Sequence, residues 1–187
     1  MYINIITPCS RPENLHKISK SINFPKENYR WIVVFDSLTL PDKNIIPENC
    51  EYYLHKDPNS ISGNGQRNFA LNLVKTGYIY FNDDDTLIHP ELWDNVKDCT
   101  EDFISFNQSL HNGYIRLTGD IIKVQQTDSH NFMISSNLVG DTRWRLDIYE
   151  ADGFFAVDCY NKAITKKYIN KTLSIYNQLR HKNTING

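Results

Sequence analysis

Short apolar runs alternating with helical or polar segments constrain the first 85 residues more than any other feature. Residues 3–6 close on Thr7-Pro8, residues 31–35 on Asp36-Ser37, and residues 51–54 form a shorter run. Residues 77–82 (Gly-Tyr-Ile-Tyr-Phe-Asn) end on three consecutive aspartates, Asp83, Asp84 and Asp85. Such runs, short and rich in β-branched and aromatic residues, read as buried strands. Between the first two runs, Pro12 opens a helix over 13–22 with Leu15, Ile18 and Ile22 at helical spacing. A polar loop from Asp57 to Gly65 leads to a second helix, with Phe69, Ala70, Leu73 and Val74 on one face, which stops at Gly77. Strands alternating with helices imply a mainly parallel sheet, and ligands of such sheets bind beyond the carboxyl ends of the strands. Thr7-Pro8, Asp36 and the aspartate triplet all fall at such ends.

Beyond residue 87 the character changes. Pro90 sits in the first turn of an expected helix over 89–98. Residues 103–106, 114–117, 121–124 and 132–134 read as short antiparallel strands. Residues 154–157 read as a strand rejoining the main sheet, and 168–180 as a closing helix. Tyr52 and Tyr53 read as core.

At 187 residues the chain is long enough to bury a full core as one domain, 1–187, with halves 1–86 and 87–187. The net charge is −2 with acids and bases mixed, which argues against a nucleic-acid partner or a polybasic membrane patch. Cys9, Cys50, Cys99 and Cys159 form no CxxC pair. They read as reduced thiols rather than a zinc site or a disulfide framework. The N-terminal run is short, interrupted by Asn4 and without a basic leader. No stretch reaches the ~20 apolar residues of a membrane span. These features lead to an expectation of a cytoplasmic protein.

Carboxylates crowded at one strand end repel one another unless a cation sits among them. Hard oxygen donors suit Mg²⁺ or Mn²⁺, and such an ion clamps phosphate-bearing substrates. A solvated turn is the plain alternative for a lone triplet, but the triplet is accompanied. Thr7-Pro8-Cys9-Ser10-Arg11, Val33-Val34-Phe35-Asp36-Ser37, Gly65-Gln66-Arg67-Asn68-Phe69-Ala70-Leu71 and Tyr80-Phe81-Asn82-Asp83-Asp84-Asp85-Thr86 follow in order. Together they resemble the glycosyltransferases of the GT-A fold over residues 1 to about 95. The helix opening and the triplet are similar to those of the glucuronyltransferases of family 43. The shortness is similar to family 2 and to small viral or bacterial enzymes.

The resemblance implies a single GT-A, Rossmann-like α/β domain. It would have a mainly parallel central sheet, helices on both faces and a small antiparallel subsheet on the acceptor side. Residues 1–86 would bind the nucleotide sugar and 87–187 the acceptor. Asp85 would bind Mn²⁺ or Mg²⁺ directly. Asp83 would share the metal, directly or through water, or hold the ribose. Asp84 would reach the ribose or orient its neighbours. Asp36 would accept from the base or ribose, the Thr7-Pro8-Cys9 backbone would line the base, and Arg11, Gln66 and Arg67 would face the nucleotide and its phosphates. For the general base, the acidic stretch Glu150-Ala151-Asp152-Gly153 before an apolar run points to Asp152, held in a tight turn by Gly153. Glu150 is the second choice, and a plain acidic loop is the alternative. His130 and His181 are candidate further metal ligands, and Trp144 is either an acceptor-stacking ring or core.

The expected activity is metal-dependent, inverting transfer from a UDP-sugar, with UDP favoured by the resemblance alone. The acceptor hydroxyl would belong to a glycan, a lipid-linked glycan or a protein. A sugar-phosphate nucleotidyltransferase is the nearest rival, but the loop after the first strand, residues 7–12, lacks the glycines that activity favours. A non-catalytic nucleotide-sugar-binding domain of the same fold is the rival from a different class.

Overall fold

The computed structural model describes residues 1–180. In chain order these form β1 (Ile3–Cys9), α1 (Leu15–Ser21), β2 (Tyr29–Phe35), β3 (Glu51–Leu54), α2 (Asn64–Leu71), β4 (Tyr78–Phe81), α3 (Leu92–Val96), β5 (Phe103–Ser109), β6 (Ile115–Leu117), β7 (Phe132–Ser135), α4 (Ser136–Val139), α5 (Ala151–Lys162) and β8 (Lys166–Ile175). One sheet has the order β3-β2-β1-β4-β7-β5-β6, with β8 on the other edge of β5. The β3-β2-β1-β4 part is parallel, and β7 pairs antiparallel with both β4 and β5. The chain winds outward from β1 to β3, then crosses through α2 to β4 on the opposite side of β1. That reversal is the topological switch point where open α/β sheets bind ligands.

Alternating side chains feed two cores, one on each face of the sheet. Ile3, Ile5, Trp31, Val33, Phe35 and Tyr80 pack with Leu15, Ile18, Leu92 and Val96 of α1 and α3. Ile6, Ile32, Val34, Ile79 and Phe81 pack with Ala70, Leu71, Ala151, Phe155 and Cys159 of α2 and α5. The cysteines are free thiols. Among the described residues no helix is long and apolar enough to cross a membrane.

Three expectations in the second half are overturned. Residues 154–157 are not a strand: they lie inside α5, where Ala151, Phe155 and Cys159 recur every four residues and bury one helical face. The tail is not a helix, because residues 166–175 form β8 along the full length of β5. Parallel pairing of β5 and β8 needs a crossover, and the chain between them contains α5. Residues 121–124 are irregular loop leading into a turn rather than a strand. In the first half Tyr52 is 42 % exposed rather than core, whereas Tyr53 packs against the core.

Candidate active site

At the carboxyl edge of the parallel strands, the loops after β1, β2 and β4 meet in a cleft of about 390 Å³. Pro8, Cys9, Arg11, Asp36, Gln66, Arg67, Asp83, Asp84, Asp85 and Asp152 all line it. Two expected residues do not. Thr7 is buried beneath the cleft, its hydroxyl accepting from Trp31 Nε1 at 2.9 Å. Glu150 stands at the N-cap of α5, outside the cleft wall.

The aspartates have three different environments. Asp84 fastens the switch point together: its Oδ2 accepts from the backbone N–H groups of Ser10 (2.6 Å) and Arg11 (2.7 Å) and from the Ser10 hydroxyl (3.1 Å). Its Oδ1 receives the Arg11 guanidinium. Asp84 therefore orients its neighbours. Asp83 accepts from Arg67 Nη2 at 2.5 Å and from Ser129 Oγ at 3.4 Å. Asp85 is buried, 3.2 Å from Arg11 Nη1. Burial first, then the Asp83 charge, raise its pKa above the ordinary carboxylate range, despite nearby His130 and Arg11.

Arg67 is 4 % exposed. Its Nη1 donates to Ser62 O (2.8 Å) and Asn64 Oδ1 (3.3 Å), and its guanidinium lies 4.5 Å from the centre of the Trp144 ring. Its Nε is buried with no hydrogen-bond partner among the described residues. Trp144 is core, stacked on Phe155 with ring centres 4.9 Å apart. Gln66 Nε2 bridges Asp36 Oδ1 and His55 O, both at 3.0 Å. Gly63 has φ +79°, and a Cβ there would lie 2.7 Å from Pro8 Cβ, so this glycine lets the preceding loop close over Pro8.

The second half contributes Asp128, Ser129 and Arg116, not singled out in the sequence, together with His130, a candidate metal ligand in the sequence. Asp128, Ser129 and His130 immediately precede β7. Because β7 runs antiparallel to β4, the residues before it reach the edge that the parallel strands reach with their carboxyl ends. The run 127–131 is polar yet fully buried, and that polarity ahead of an apolar run is the signal that marks it. The Asp83 N–H donates to His130 Nε2 at 2.8 Å, and His130 Nδ1 lies 2.7 Å from Asp128 Oδ1. Burial disfavours a charged imidazole, while Asp83, Asp128 and Asp85 favour one, with the balance at about 9. An N–H donating to Nε2, however, requires the neutral ring with its proton on Nδ1, and the hydrogen bond decides the state of this structure. Burial of Asp128 is outweighed by its neighbours, of which the hydrogen bonds from His130 and the charge of Arg116 persist with a neutral ring, and its carboxyl lies well below the usual range. Arg116 itself lies 3.1 Å from Asp128 Oδ2 and over the Tyr176 ring.

Asp152 occupies the first turn of α5, not a tight turn before a strand. Gly153 serves close packing instead: a Cβ there would lie 2.8 Å from Val124 Cα. The Gly153 N–H donates to Asp152 Oδ1 at 2.7 Å. Burial first, and then Asp128, push the Asp152 pKa up to about 6, partly offset by the Gly153 N–H and Arg67.

Metal chemistry here rests on few protein donors. Both ring nitrogens of His130 are engaged, which removes it from the candidate ligands, and His181 lies outside the described residues. Among the described residues no group of three or more His, Cys, Asp or Glu side chains is arranged to hold an ion. The donor set nevertheless fits a diphosphate-bridged Mg²⁺ or Mn²⁺, which uses one or two carboxylates and takes its other oxygens from phosphate and water. Burial and the neighbouring Asp83 charge both disfavour the ionised form of Asp85, and a cation at this place would offset them.

No protein-family model matches the chain, and no curated protein matches it in sequence. Solved structures do. TarS 1–349 of S. aureus in complex with UDP-GlcNAc superposes with a TM-score of 0.72 at 17 % identity, over 94 % of this chain and 58 % of that one. The mannosyltransferase PcManGT from Pyrobaculum calidifontis, in complex with GDP-Man and Mn²⁺, gives 0.64 at 11 % identity, over 94 % and 56 %. The bifunctional IspDF from Campylobacter jejuni gives 0.56 at 11 %, over 91 % and 50 %. The chain thus spans about 60 % or less of the length of these structures. At such identities the likeness concerns architecture: this chain has the α/β GT-A fold, with a parallel β3-β2-β1-β4 core extended by antiparallel strands.

Proposed function

We propose that the chain is a glycosyltransferase that moves a sugar from a UDP-sugar to an acceptor hydroxyl, inverting the anomeric centre. The observation that carries this reading is a single cleft at the switch point. It gathers the aspartate triplet, Arg11, Arg67 and the half-buried Asp152, whose pKa of about 6 suits a proton acceptor near neutral pH. The fold alone does not choose an activity; the residues of the cleft support this one.

In this reading the base and ribose of the donor lie along Pro8, Cys9, Asp36 and Gln66. Arg67 turns its unpartnered Nε to the diphosphate, where a guanidinium suits oxyanions. Asp85 and Asp83 would hold Mn²⁺ or Mg²⁺, which when bound would neutralise charge on the nucleotide leaving group. Asp152, ionised and with Oδ2 free of hydrogen bonds to the described residues, receives the proton of the acceptor hydroxyl. As it does so, the acceptor oxygen bonds to the anomeric carbon and the bond from that carbon to UDP breaks. Direct displacement of this kind inverts configuration. The acceptor, a glycan, a lipid-linked glycan or a protein hydroxyl, approaches from the side of Asp152 and Arg116. UDP is chosen for the likeness of residues 65–71 and 80–86 to family 43 and for the TarS complex with UDP-GlcNAc. Manganese is chosen for the PcManGT complex.

A thermal-shift panel of UDP-sugars with Mn²⁺ or EDTA tests the reading, since a ligand of the folded state raises apparent stability by mass action. UDP and its sugars are expected to raise the melting temperature in Mn²⁺ and much less in EDTA, and Asp85→Ala to lose that shift while remaining folded. An undiminished shift in Asp85→Ala sinks the metal assignment. Release of pyrophosphate from UTP and a sugar phosphate would instead support nucleotidyl transfer, and donor binding without any turnover a binding domain.

A further inference from the structure

The environment of Asp85 contains a cation already. Arg11 Nη1 touches Asp84 Oδ1 and lies 3.2 Å from Asp85 Oδ2, while Arg180 Nε stands 4.0 Å from the same oxygen. The other oxygen of Asp85 accepts from Thr86 Oγ1 at 3.3 Å. Positive charge at Asp85 therefore gathers on Oδ2, the oxygen that Arg11 covers. We propose that Arg11 takes the place of the divalent cation on Asp85 in the ligand-free protein, and moves to the donor's diphosphate when cation and nucleotide enter together. This rests on the metal and nucleotide-sugar reading of the preceding section.

Two features make the exchange physically easy. The Arg11 side chain is 33 % exposed and lines the cleft, so its guanidinium moves without repacking a core. The loop it springs from does not depend on the guanidinium, because three further hydrogen bonds from Ser10 and the Arg11 N–H hold Asp84 Oδ2. An ion arriving alone must strip Arg11 from Asp85 and leave the guanidinium with Asp84 alone. An ion arriving with a diphosphate gives the guanidinium a better one, since its planar fork matches phosphate oxygens. Metal and nucleotide binding are then coupled, and the coupling is reciprocal.

Mn²⁺ titrations followed by electron paramagnetic resonance, with and without UDP, test this on wild type, Arg11→Gln, Arg180→Gln and Asp85→Asn. Wild type is expected to bind Mn²⁺ weakly alone and more tightly with UDP. Arg11→Gln should bind Mn²⁺ without nucleotide about 5–150-fold more tightly than wild type, the usual span of such couplings, and gain correspondingly less from UDP. Arg180→Gln, which removes an exposed charge near the same oxygen, should change little. Equal nucleotide-free affinity of wild type and Arg11→Gln overturns the proposal. So does an equal gain in Arg180→Gln, since the effect would then be one of general field rather than of occupancy. If Asp85→Asn binds Mn²⁺ as wild type does, the metal assignment itself fails and the Arg11 role falls with it.

Discussion

The parallel strands β1, β2 and β4 deliver their site residues from their carboxyl ends, whereas β7 runs the other way and delivers Asp128, Ser129 and His130 from the residues that precede it. The two regions also differ in how their carboxylates are held. Asp84 in the first region is saturated by backbone N–H groups and an arginine. Asp152 in the second keeps one oxygen free of hydrogen bonds to the described residues and a pKa raised to about 6. A carboxylate fully tied to donors stabilises a loop; a half-buried one with an open oxygen is set to take a proton. The first region therefore reads as the binding platform and the second as the seat of proton transfer, joined where Asp83 meets both Arg67 and the His130 ring.

That division is open to direct attack. The largest effect is expected from Asp152→Asn, which keeps size and polarity but takes no proton. Sugar transfer should fall roughly 10²–10⁴-fold, with donor affinity by calorimetry unchanged and with Glu150→Gln close to wild type. If Glu150→Gln is the variant that loses turnover, the base lies two residues earlier in the chain. If Asp152→Asn chiefly weakens donor binding, the division between the regions collapses.

Next in size is Arg67→Ala, which should weaken the donor by about 1.5–3 kcal/mol, the worth of a charged hydrogen bond, and Arg67→Lys should recover only part of it. Equal calorimetric affinity for wild type and Arg67→Ala would remove Arg67 from the platform. A smaller effect, with an unusual sign, is expected from Gly153→Ala. In a free helix interior alanine gains about 0.8–1.0 kcal/mol over glycine. Here its Cβ would sit 2.8 Å from Val124 Cα, so urea denaturation should show a net loss of about 1–3 kcal/mol, as for other overpacked sites. A stabilised variant would contradict the close approach of α5 to residue 124.

The gentlest test is a pH profile. The base acts only when ionised, and its raised pKa moves the acid limb up from the ~3.9 of a free aspartate. Turnover should therefore rise through about pH 6 and level off above it. An acid limb lying near pH 4 would mean that the proton goes elsewhere.

By itself the sequence determined the alternation of strands and helices through residue 86, the mainly parallel sheet that follows from it, and the placing of Asp36, Arg67 and the aspartate triplet at strand or helix ends. These are local matters: apolar period, stop residues and chain order suffice for them. Only the tertiary structure decided that residues 154–157 turn as a helix and 166–175 extend as a strand. A short apolar run such as Phe154-Phe155-Ala156-Val157 suits either period, and the tail becomes β8 by pairing with β5, more than 60 residues away in the chain. It also decided that Asp128 and His130 join the cleft, because the direction of β7 is set by its partners and not by its own residues. The same holds for Arg11: nothing in Cys9-Ser10-Arg11-Pro12 foretells that its guanidinium rests on two aspartates of another loop, a contact that exists only once β1 and β4 lie side by side.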